Sequence, residues 1–226
     1  LGLIAGGQFQ DPLREGADLM TGSSHKTFPG PQGGFLLSSS EDETFHRRLN
    51  NAMFPGVCSS YHLHHVAGKV MALAEFMEYG EAYATDIVSN ARAFAGALAA
   101  EGFDVLAESR GYTASHQVLT RHGELDSGAG AKAAQRLEEA GIITNMNMLP
   151  GDTKAMTPSG LRLGVQELTR VGFSNDDMDE VASFYARVLL HGEDPAAVRA
   201  DVHALKQQRQ TIRYCFNEDE RSGYPE

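Results

Sequence analysis

The feature that most constrains this chain is a glycine- and proline-rich turn around Lys26, between two short apolar runs. Upstream, residues 16–21 predict a short buried strand that leads into small hydroxylated side chains, and downstream residues 35–37 predict a return strand. Two strands joined by such a turn would present the Lys26 amine at the edge of a sheet. An amine that loses its proton there forms Schiff bases with carbonyl compounds, whereas the alternative is an ordinary surface lysine.

Length and composition fit one large or two small globular domains. The 226 residues are 42% hydrophobic and contain no long apolar run, which predicts neither a membrane-spanning helix nor a secretory signal. The formal charge of −11 argues against a nucleic-acid surface, and there is no basic block that would favour a membrane surface. Two cysteines make no disulfide framework, so we expect a cytoplasmic protein.

The first half of the chain is predicted to pass from strand to helix. Residues 1–7 have the pattern of a strand-to-loop passage without an initiating methionine, which suggests a fragment, a processed chain or one half of a split enzyme. Ser40 is expected to cap a short charged helix over residues 41–51. Residues 61–100 carry a helical pattern in which Gly80 is expected to kink or break the helix, and we place a domain boundary there.

The second half of the chain alternates short apolar runs with helical patterns. Glu101-Gly102 predicts a helix C-cap, and either Ser174 or Asn175 is expected to cap a later amphipathic helix. Strands are predicted over residues 103–106, 117–120, 142–144 and 160–164, and helices over residues 130–140, 176–190 and 195–214. The polar tail, residues 217–226, is expected to fray.

The lysine turn resembles the cofactor-lysine motif of serine hydroxymethyltransferases, a threonine run followed by His-Lys-Thr and Gly-Pro-x-Gly-Gly. Ser23 and Ser24 replace threonines of that motif, and Gln32 replaces an arginine. The matching positions here are Thr21, His25, Lys26, Thr27, Gly30, Pro31, Gly33 and Gly34.

The resemblance continues in the same order over nearly the whole chain. It implies an α/β fold: the latter part of the large domain of a fold-type-I pyridoxal-phosphate transferase over residues 1–80, then a small α+β C-terminal domain over residues 81–226. It also implies pyridoxal 5'-phosphate as the cofactor.

The resemblance assigns roles to several residues around the cofactor. Lys26 would carry pyridoxal phosphate, His25 and Thr21 would join it in catalysis, and Ser24 and His25 would help to bind the cofactor. Ser59 and Ser60 stand where the family has a Gly pair that reaches the neighbouring subunit's cofactor phosphate.

A second group of residues resembles the family's substrate site. Arg162, in the run Ser159-Gly160-Leu161-Arg162-Leu163-Gly164, stands where the family's arginine binds the amino-acid carboxylate, and a guanidinium suits that role because it binds carboxylates through two parallel hydrogen bonds. The alternative is a structural ion pair. Asn145 and Asn147 match a run in which one asparagine approaches the folate.

Two further segments resemble the family without matching it in full. His116 keeps the place of the histidine in the family's Thr-Asp-Asn-His run, and we expect a structural role for it. The loop over residues 152–159 is one residue shorter than in the family and lacks its Pro-Phe pair. Tetrahydrofolate is therefore a possible second cofactor on which we expect weak dependence or none.

The implied reaction makes or breaks the Cα–Cβ bond of a β-hydroxy amino acid. The first interpretation is one-carbon transfer between serine and glycine. Threonine aldolase or transaldolase activity, α-methylserine hydroxymethyltransferase activity and a non-catalytic partner subunit remain alternatives. The implied partners are a small amino-acid substrate, a homodimer or higher homo-oligomer, and the missing N-terminal half, which in the family supplies the general base. His62, His64 and His65 have no acidic neighbour in the sequence, so we predict no metal site.

Overall fold

A computed structural model describes residues 1–217 of the chain. The tail that was expected to fray therefore lies, from residue 218 onward, outside the described residues. The chain divides into two compact units, Leu1–Glu81 and the residues from Ala82 onward. No helix within residues 1–217 is both long and apolar enough to cross a membrane.

The first unit begins with a short helix, so the strand-to-loop passage expected over residues 1–7 is wrong. Helix α1 spans Gly2–Ala5. The backbone N–H of Gly2 donates to Thr27 Oγ1 at 3.0 Å, and a Cβ on Gly2 would collide with the backbone carbonyl of Thr27. Glycine at this position therefore lets α1 lie directly against the lysine turn.

A two-stranded antiparallel hairpin holds the lysine turn. β1 (Met20–His25) pairs with β2 (Pro29–Leu37), and the register shifts between Ser23 and His25. The predicted strand pair is present, but β1 starts later than residue 16 because the preceding residues are turned, with the N–H of Ala17 bonded to the Pro12 carbonyl at 2.9 Å. The predicted burial of this strand is also wrong, since most of β1 is partly or fully exposed.

Helix α2 spans Glu43–Asn51 and is followed by a π-helical segment, Ala52–Val57, whose backbone is non-helical at Phe54 and Pro55. Asp42, rather than Ser40, caps α2, because its side chain accepts the Thr44 N–H at 2.8 Å.

Helix α3 spans Leu63–Ala100 without interruption, so the expected kink or break at Gly80 is wrong. Gly80 is buried, and a Cβ there would lie 2.5 Å from two ring atoms of Phe76, one helical turn earlier. The Phe76 ring in turn packs on Phe28, with the ring centroids 5.0 Å apart. The glycine thus makes room for a ring rather than ending the helix. The helix ends as predicted, with Gly102 at φ +101°.

The early part of α3 carries an exposed apolar stripe. Its members recur with alternating spacings of three and four residues, which places them along one face of the helix. We refer to these residues as the α3 stripe: Leu63, Val66, Val70, Leu73 and Met77, of which Met77 is 89% exposed.

The second unit contains a four-stranded antiparallel sheet with the order β3-β4-β6-β5. The strands are β3 (Asp104–Val105), β4 (Gln117–Arg121), β5 (Asn145–Asn147) and β6 (Gly160–Gly164). Alternate residues of β4 and β6 are buried, which defines a core face and an open face of the sheet. The helices are α4 (Ala129–Glu139), α5 (Gln166–Arg170), α6 (Met178–Leu189) and α7 (Pro195–Gln208).

In the second unit, the predicted apolar faces of the helices meet in the core. Helix α4 packs on β5 and β6 as well as on α6 and α7. The predicted apolar side of α6 is buried at Met178, Val181, Phe184, Tyr185 and Val188. Ser174 and Asp177 form the capping box that starts the turn before α6, as predicted for Ser174.

Two element predictions in this unit are wrong. The strand expected over residues 142–144 is displaced to β5, because the Ile142 N–H closes the end of α4 by bonding to the Leu137 carbonyl at 2.9 Å. The last helix stops at Gln208 rather than residue 214, since Arg209 leaves the helical conformation and its guanidinium binds the Asp177 carboxylate at 2.6 Å.

Candidate active site

Lys26 lies in the tight turn between β1 and β2, with its side chain exposed. The two residues that follow anchor this turn, because both Thr27 and Phe28 are buried. The Phe28 ring packs edge-on against Phe35, with 5.3 Å between the ring centroids. A fixed backbone therefore carries an amine that points into solvent, an arrangement that leaves the amine accessible to a carbonyl compound.

The neighbours predicted to help Lys26 have different surroundings. Thr21 and His25 are exposed, and His25 Nδ1 lies 3.3 Å from both the amide nitrogen and the carbonyl oxygen of Gly33. Ser24 is fully buried and donates its hydroxyl to the Pro31 carbonyl at 2.6 Å. In this conformation Ser24 closes the hairpin and His25 contacts its backbone at Gly33, while Thr21 is exposed.

A second lysine approaches the hairpin from α3, and the sequence did not single it out. Lys69 Nζ donates to the Gly34 carbonyl at 3.4 Å and lies 5.8 Å from the Phe35 ring centroid. A Cβ on Gly33, which has φ +148°, would collide with Lys69 Nζ. The Gly33-Gly34 pair therefore both permits the backbone conformation and admits a cationic side chain.

Ser59 and Ser60 lie in the exposed loop between the π-helical segment and α3. The side chains of His62, His64 and His65 follow them, with ring centroids 4.4–5.5 Å apart. Desolvation, followed by electrostatic interactions with His64, His62 and Lys69, lowers the pKa of His65 from its ordinary value. Within residues 1–217 no group of three or more His, Cys, Asp or Glu side chains is arranged to hold a metal ion.

In the second unit, Arg162 sits in β6 directly opposite Asn145 of β5 and Leu119 of β4. Directly opposed residues of antiparallel strands project to the same face, and Asn147 lies two residues further along that face. Arg162 and Asn147 are partly exposed and Asn145 is exposed. The three residues predicted to bind substrate are therefore together on the open face of the sheet.

His116 precedes β4, and its carbonyl accepts the Val165 N–H at 3.4 Å. Burial, together with the nearby Arg162 guanidinium, lowers the pKa of His116 below its ordinary value. Its buried Nδ1 has no hydrogen-bond partner among the described residues. His116 thus places a neutral imidazole beside Arg162, with one buried ring nitrogen that makes no hydrogen bond to the described residues.

The loop between β5 and β6 is tied by Asp152, which the sequence did not identify as important. Its carboxylate accepts hydrogen bonds from Leu149, Asp126 and Ser159. The backbone and hydroxyl donors hold the pKa of Asp152 well below its usual range, against the opposing effect of desolvation, which is the largest single influence. No local sequence pattern signals this, because Asp126 and Ser159 lie 26 and 7 residues away.

Comparison with known proteins gives consistent matches. A model of the serine hydroxymethyltransferase family matches residues 1–185. The chain is 58% identical over 221 residues to serine hydroxymethyltransferases of Pyrococcus abyssi and Pyrococcus horikoshii, covering 96% of this chain and 52% of each relative. It is 48% identical over 226 residues to that of Thermoplasma acidophilum. The chain thus spans about half the length of the curated relatives it matches.

A solved structure resembles this chain over most of its length. The crystal structure of L-threonine transaldolase from Pseudomonas fluorescens in its internal aldimine state matches with a TM-score of 0.87 and 32% identity, covering 97% of this chain and 49% of that one. These matches confirm the predicted fold class: mixed α/β, corresponding to the C-terminal part of a fold-type-I pyridoxal-phosphate transferase.

Proposed function

Because the chain belongs to the serine hydroxymethyltransferase family, we propose that the protein makes and breaks the Cα–Cβ bond of a β-hydroxy amino acid with pyridoxal phosphate. We assign residues 1–80 to the cofactor-binding large domain and residues 81–226 to the small domain. The catalytic activity belongs to the longer enzyme that includes the N-terminal half present in the relatives. The single observation that carries the proposal is Lys26, an exposed amine on an anchored hairpin turn.

The side chains around Lys26 fit pyridoxal phosphate by their chemistry. The cofactor offers an aldehyde for a primary amine and a phosphate for hydroxyl, imidazole and cationic groups. Lys26 would supply the amine, the exposed side chains of Thr21 and His25 would supply polar groups, and Ser59 and Ser60 of a neighbouring subunit would supply phosphate donors. When bound, the cofactor supplies an electron sink for the pair released from the substrate carbon.

Arg162 would bind the substrate carboxylate. Its partly exposed guanidinium lies on the open face of the sheet, next to Asn145 and Asn147, and can bind a carboxylate through two parallel hydrogen bonds. Asn145 would place its amide beside the bound acid, where it can orient the substrate. His25 and Thr21 would hold the substrate hydroxyl and its proton near Lys26.

The test is an absorption spectrum of the complete enzyme loaded with pyridoxal phosphate, before and after addition of serine or threonine. The proposal expects a cofactor band that shifts with either amino acid, because both bear a β-hydroxyl and a carboxylate. A cofactor-loaded protein whose band responds to neither amino acid would favour the alternative of a non-catalytic partner subunit.

A threonine aldolase or transaldolase activity is the second candidate, and α-methylserine hydroxymethyltransferase activity is a related one. The threonine candidate is supported by the transaldolase structure, whose likeness extends over 97% of this chain. The Asp152 loop also presents Met156, 85% exposed, where the resemblance expects an aromatic residue. Methionine has three rotatable bonds and fixes a flat ligand poorly, so we expect tetrahydrofolate dependence to be weak or absent.

Paired assays separate these activities. The complete enzyme is assayed on serine with and without tetrahydrofolate, and on threonine with an added aldehyde. Turnover of threonine that exchanges its aldehyde, with little folate stimulation on serine, supports the second candidate. Strong folate stimulation on serine without aldehyde exchange supports hydroxymethyl transfer.

We further propose that the native enzyme is a homodimer or higher homo-oligomer in the cytoplasm. The α3 stripe supports this, because its spacing of three and four residues suits packing against a helix of a second subunit. The net charge of −11 favours neither a nucleic-acid nor an acidic membrane partner. Sedimentation of the complete enzyme measures its oligomeric state, and a fully active monomer would contradict the proposal.

A further inference from the structure

Asp152 closes the neck of the loop that joins β5 to β6. A single carboxylate oxygen, Oδ2, accepts the N–H of Leu149 at 2.9 Å, the N–H of Ser159 at 3.0 Å and the Ser159 hydroxyl at 2.7 Å. Leu149 comes two residues after Asn147, and Ser159 immediately precedes Gly160. The two ends of the loop are therefore held together at one atom, next to the two strands that carry the candidate substrate-binding residues.

The neck is packed as well as hydrogen-bonded. Leu149 and Ser159 are both buried, and a Cβ on Gly160 would collide with the Leu149 side chain. The Ser159 carbonyl also accepts the His122 N–H at 3.0 Å, which continues the pairing of β6 with β4 beyond the strand ends. A shift of Leu149 away from Ser159 would therefore move the end of β5 relative to β6.

The tip of the same loop is held separately by Asp126. Its carboxylate accepts the N–H groups of Thr153 and Lys154, both at 2.8 Å, and the Thr153 hydroxyl at 2.7 Å. The Asp126 N–H in turn donates to Asp152 Oδ1 at 2.6 Å. The two aspartates thus serve one loop at different places: Asp152 at the neck and Asp126 at the tip.

We propose that Asp152 is a positioning residue for amino-acid binding, which sets the spacing between the asparagines of β5 and Arg162 of β6. This inference rests on the proposed function of Arg162. Opening the neck lets β5 move away from β6, so that Asn145 no longer lies beside a carboxylate held by Arg162. Because the lost contact acts on bound substrate and on the transition state alike, the change appears in KM and not in kcat.

The test compares Asp152→Ala with Asp126→Ala in the complete, cofactor-loaded enzyme. Amino-acid affinity is measured by equilibrium titration with serine and with threonine, and KM and kcat are measured separately. Asp152→Ala is expected to weaken affinity and raise KM about tenfold, the loss expected for about one charge-assisted hydrogen bond, with kcat little changed. Asp126→Ala, which removes only tip contacts, is expected to leave the affinity within about twofold.

Asp152→Asn provides the conservative variant and guards against a folding defect. Its amide oxygen can take the place of Oδ2, which receives three donors, while its NH₂ group faces the single Asp126 N–H. This variant is expected to regain most of the affinity lost in Asp152→Ala. Amide hydrogen exchange of the protein without cofactor gives a second readout: protection of Leu149 and Ser159 falls in Asp152→Ala and persists in Asp126→Ala.

Equal effects of Asp152→Ala and Asp126→Ala on affinity would overturn the inference, as would unchanged affinity in Asp152→Ala or a loss confined to kcat. If the unchanged enzyme binds no β-hydroxy amino acid, the proposed function fails and the inference falls with it. If the unchanged enzyme binds serine or threonine and Asp152→Ala binds it equally well, only the inference is overturned.

Discussion

Asn145 and Arg162 face each other directly across the β5–β6 pair, so two residues 17 positions apart in the chain share one face of the sheet. Arg162 supplies a fork of N–H donors, and Asn145 supplies an amide that can both donate and accept. A carboxylate bound by Arg162 would lie next to an adaptable polar group. If Arg162 binds the substrate carboxylate as proposed, this pairing would place a second, adaptable polar contact beside it.

Lys26 is predicted to be the lysine that carries the cofactor. Borohydride reduction of the loaded complete enzyme, followed by peptide mapping, should place the pyridoxyl group on Lys26. Lys26→Arg should abolish that label, because a guanidinium does not form the bond, whereas Lys69→Arg should keep it. A label on Lys69, the other lysine of this hairpin region, would contradict the assignment.

Arg162→Lys is predicted to keep the cofactor absorption band but to weaken serine or threonine binding about tenfold or more, because a point charge replaces a two-bond fork. The matched control is Arg121→Lys, on the same face of the sheet, where the arginine already pairs with Asp104 at 3.1 Å. Spectral titration with each amino acid measures the effect. Equal affinity in Arg162→Lys and the unchanged enzyme would show that Arg162 does not bind the carboxylate.

Gly80→Ala is predicted to destabilise the protein by about 1–3 kcal/mol, because the added methyl group overlaps the Phe76 ring, which Phe28 holds in place. Gly96 is the matched control in the same helix, since a Cβ there meets nothing within 4 Å. Gly96→Ala should stabilise the protein by about 0.5–1 kcal/mol. Urea unfolding measures both changes, and a stabilising Gly80→Ala would refute the packing explanation.

Stability is predicted to fall with acidification because of His122. Burial lowers the pKa of His122 to about 4, from an ordinary value of 6.5, and its Nε2 lies 2.8 Å from Thr120 Oγ1. The folded state therefore favours the neutral ring. Its contribution is complete above pH 6.5 and is lost as the pH falls toward 4, because the unfolded chain takes up the proton first.

Urea unfolding between pH 7.5 and 4.5 tests this prediction. His122→Gln can keep a hydrogen bond to Thr120. It should reduce the decline in the free energy of unfolding between pH 6.5 and 4.5. His203→Gln, at an exposed position of α7, is the control and should retain the decline. An identical pH profile in His122→Gln and the unchanged protein would rule out the assignment to His122.

The sequence predicted elements whose signals are local. Strand β6 was predicted with its observed bounds, and the strands around Lys26 were found because apolar runs flank a turn. Gly80 misled the prediction, because a glycine inside a helical pattern looks like a break unless the ring packed over it is known. Ile142 misled it for a similar reason: a β-branched residue that favours strands is used here to close the end of α4.

The candidate site was predictable where a motif carries it and not elsewhere. Lys26 and Arg162 stand in motifs that can be recognised in one sequence, although their roles remain predictions. Lys69 and Asp152 act through contacts with residues distant in the chain or with backbone groups, for which no residue pattern exists. Lys69 reaches Gly34 across 35 residues, so only the folded helix brings it to the hairpin.

Because Asp152 holds the two ends of its loop together, the length of the loop does not determine where strands β5 and β6 lie. Since Leu149 and Ser159 meet at one carboxylate oxygen, residues can be added or removed at the exposed Ala155-Met156 without changing where β5 and β6 end. The residues that the loop exposes could thus vary while the strands that carry Asn145 and Arg162 stay in place. For enzyme engineering, this tip is a natural place to insert new sequence.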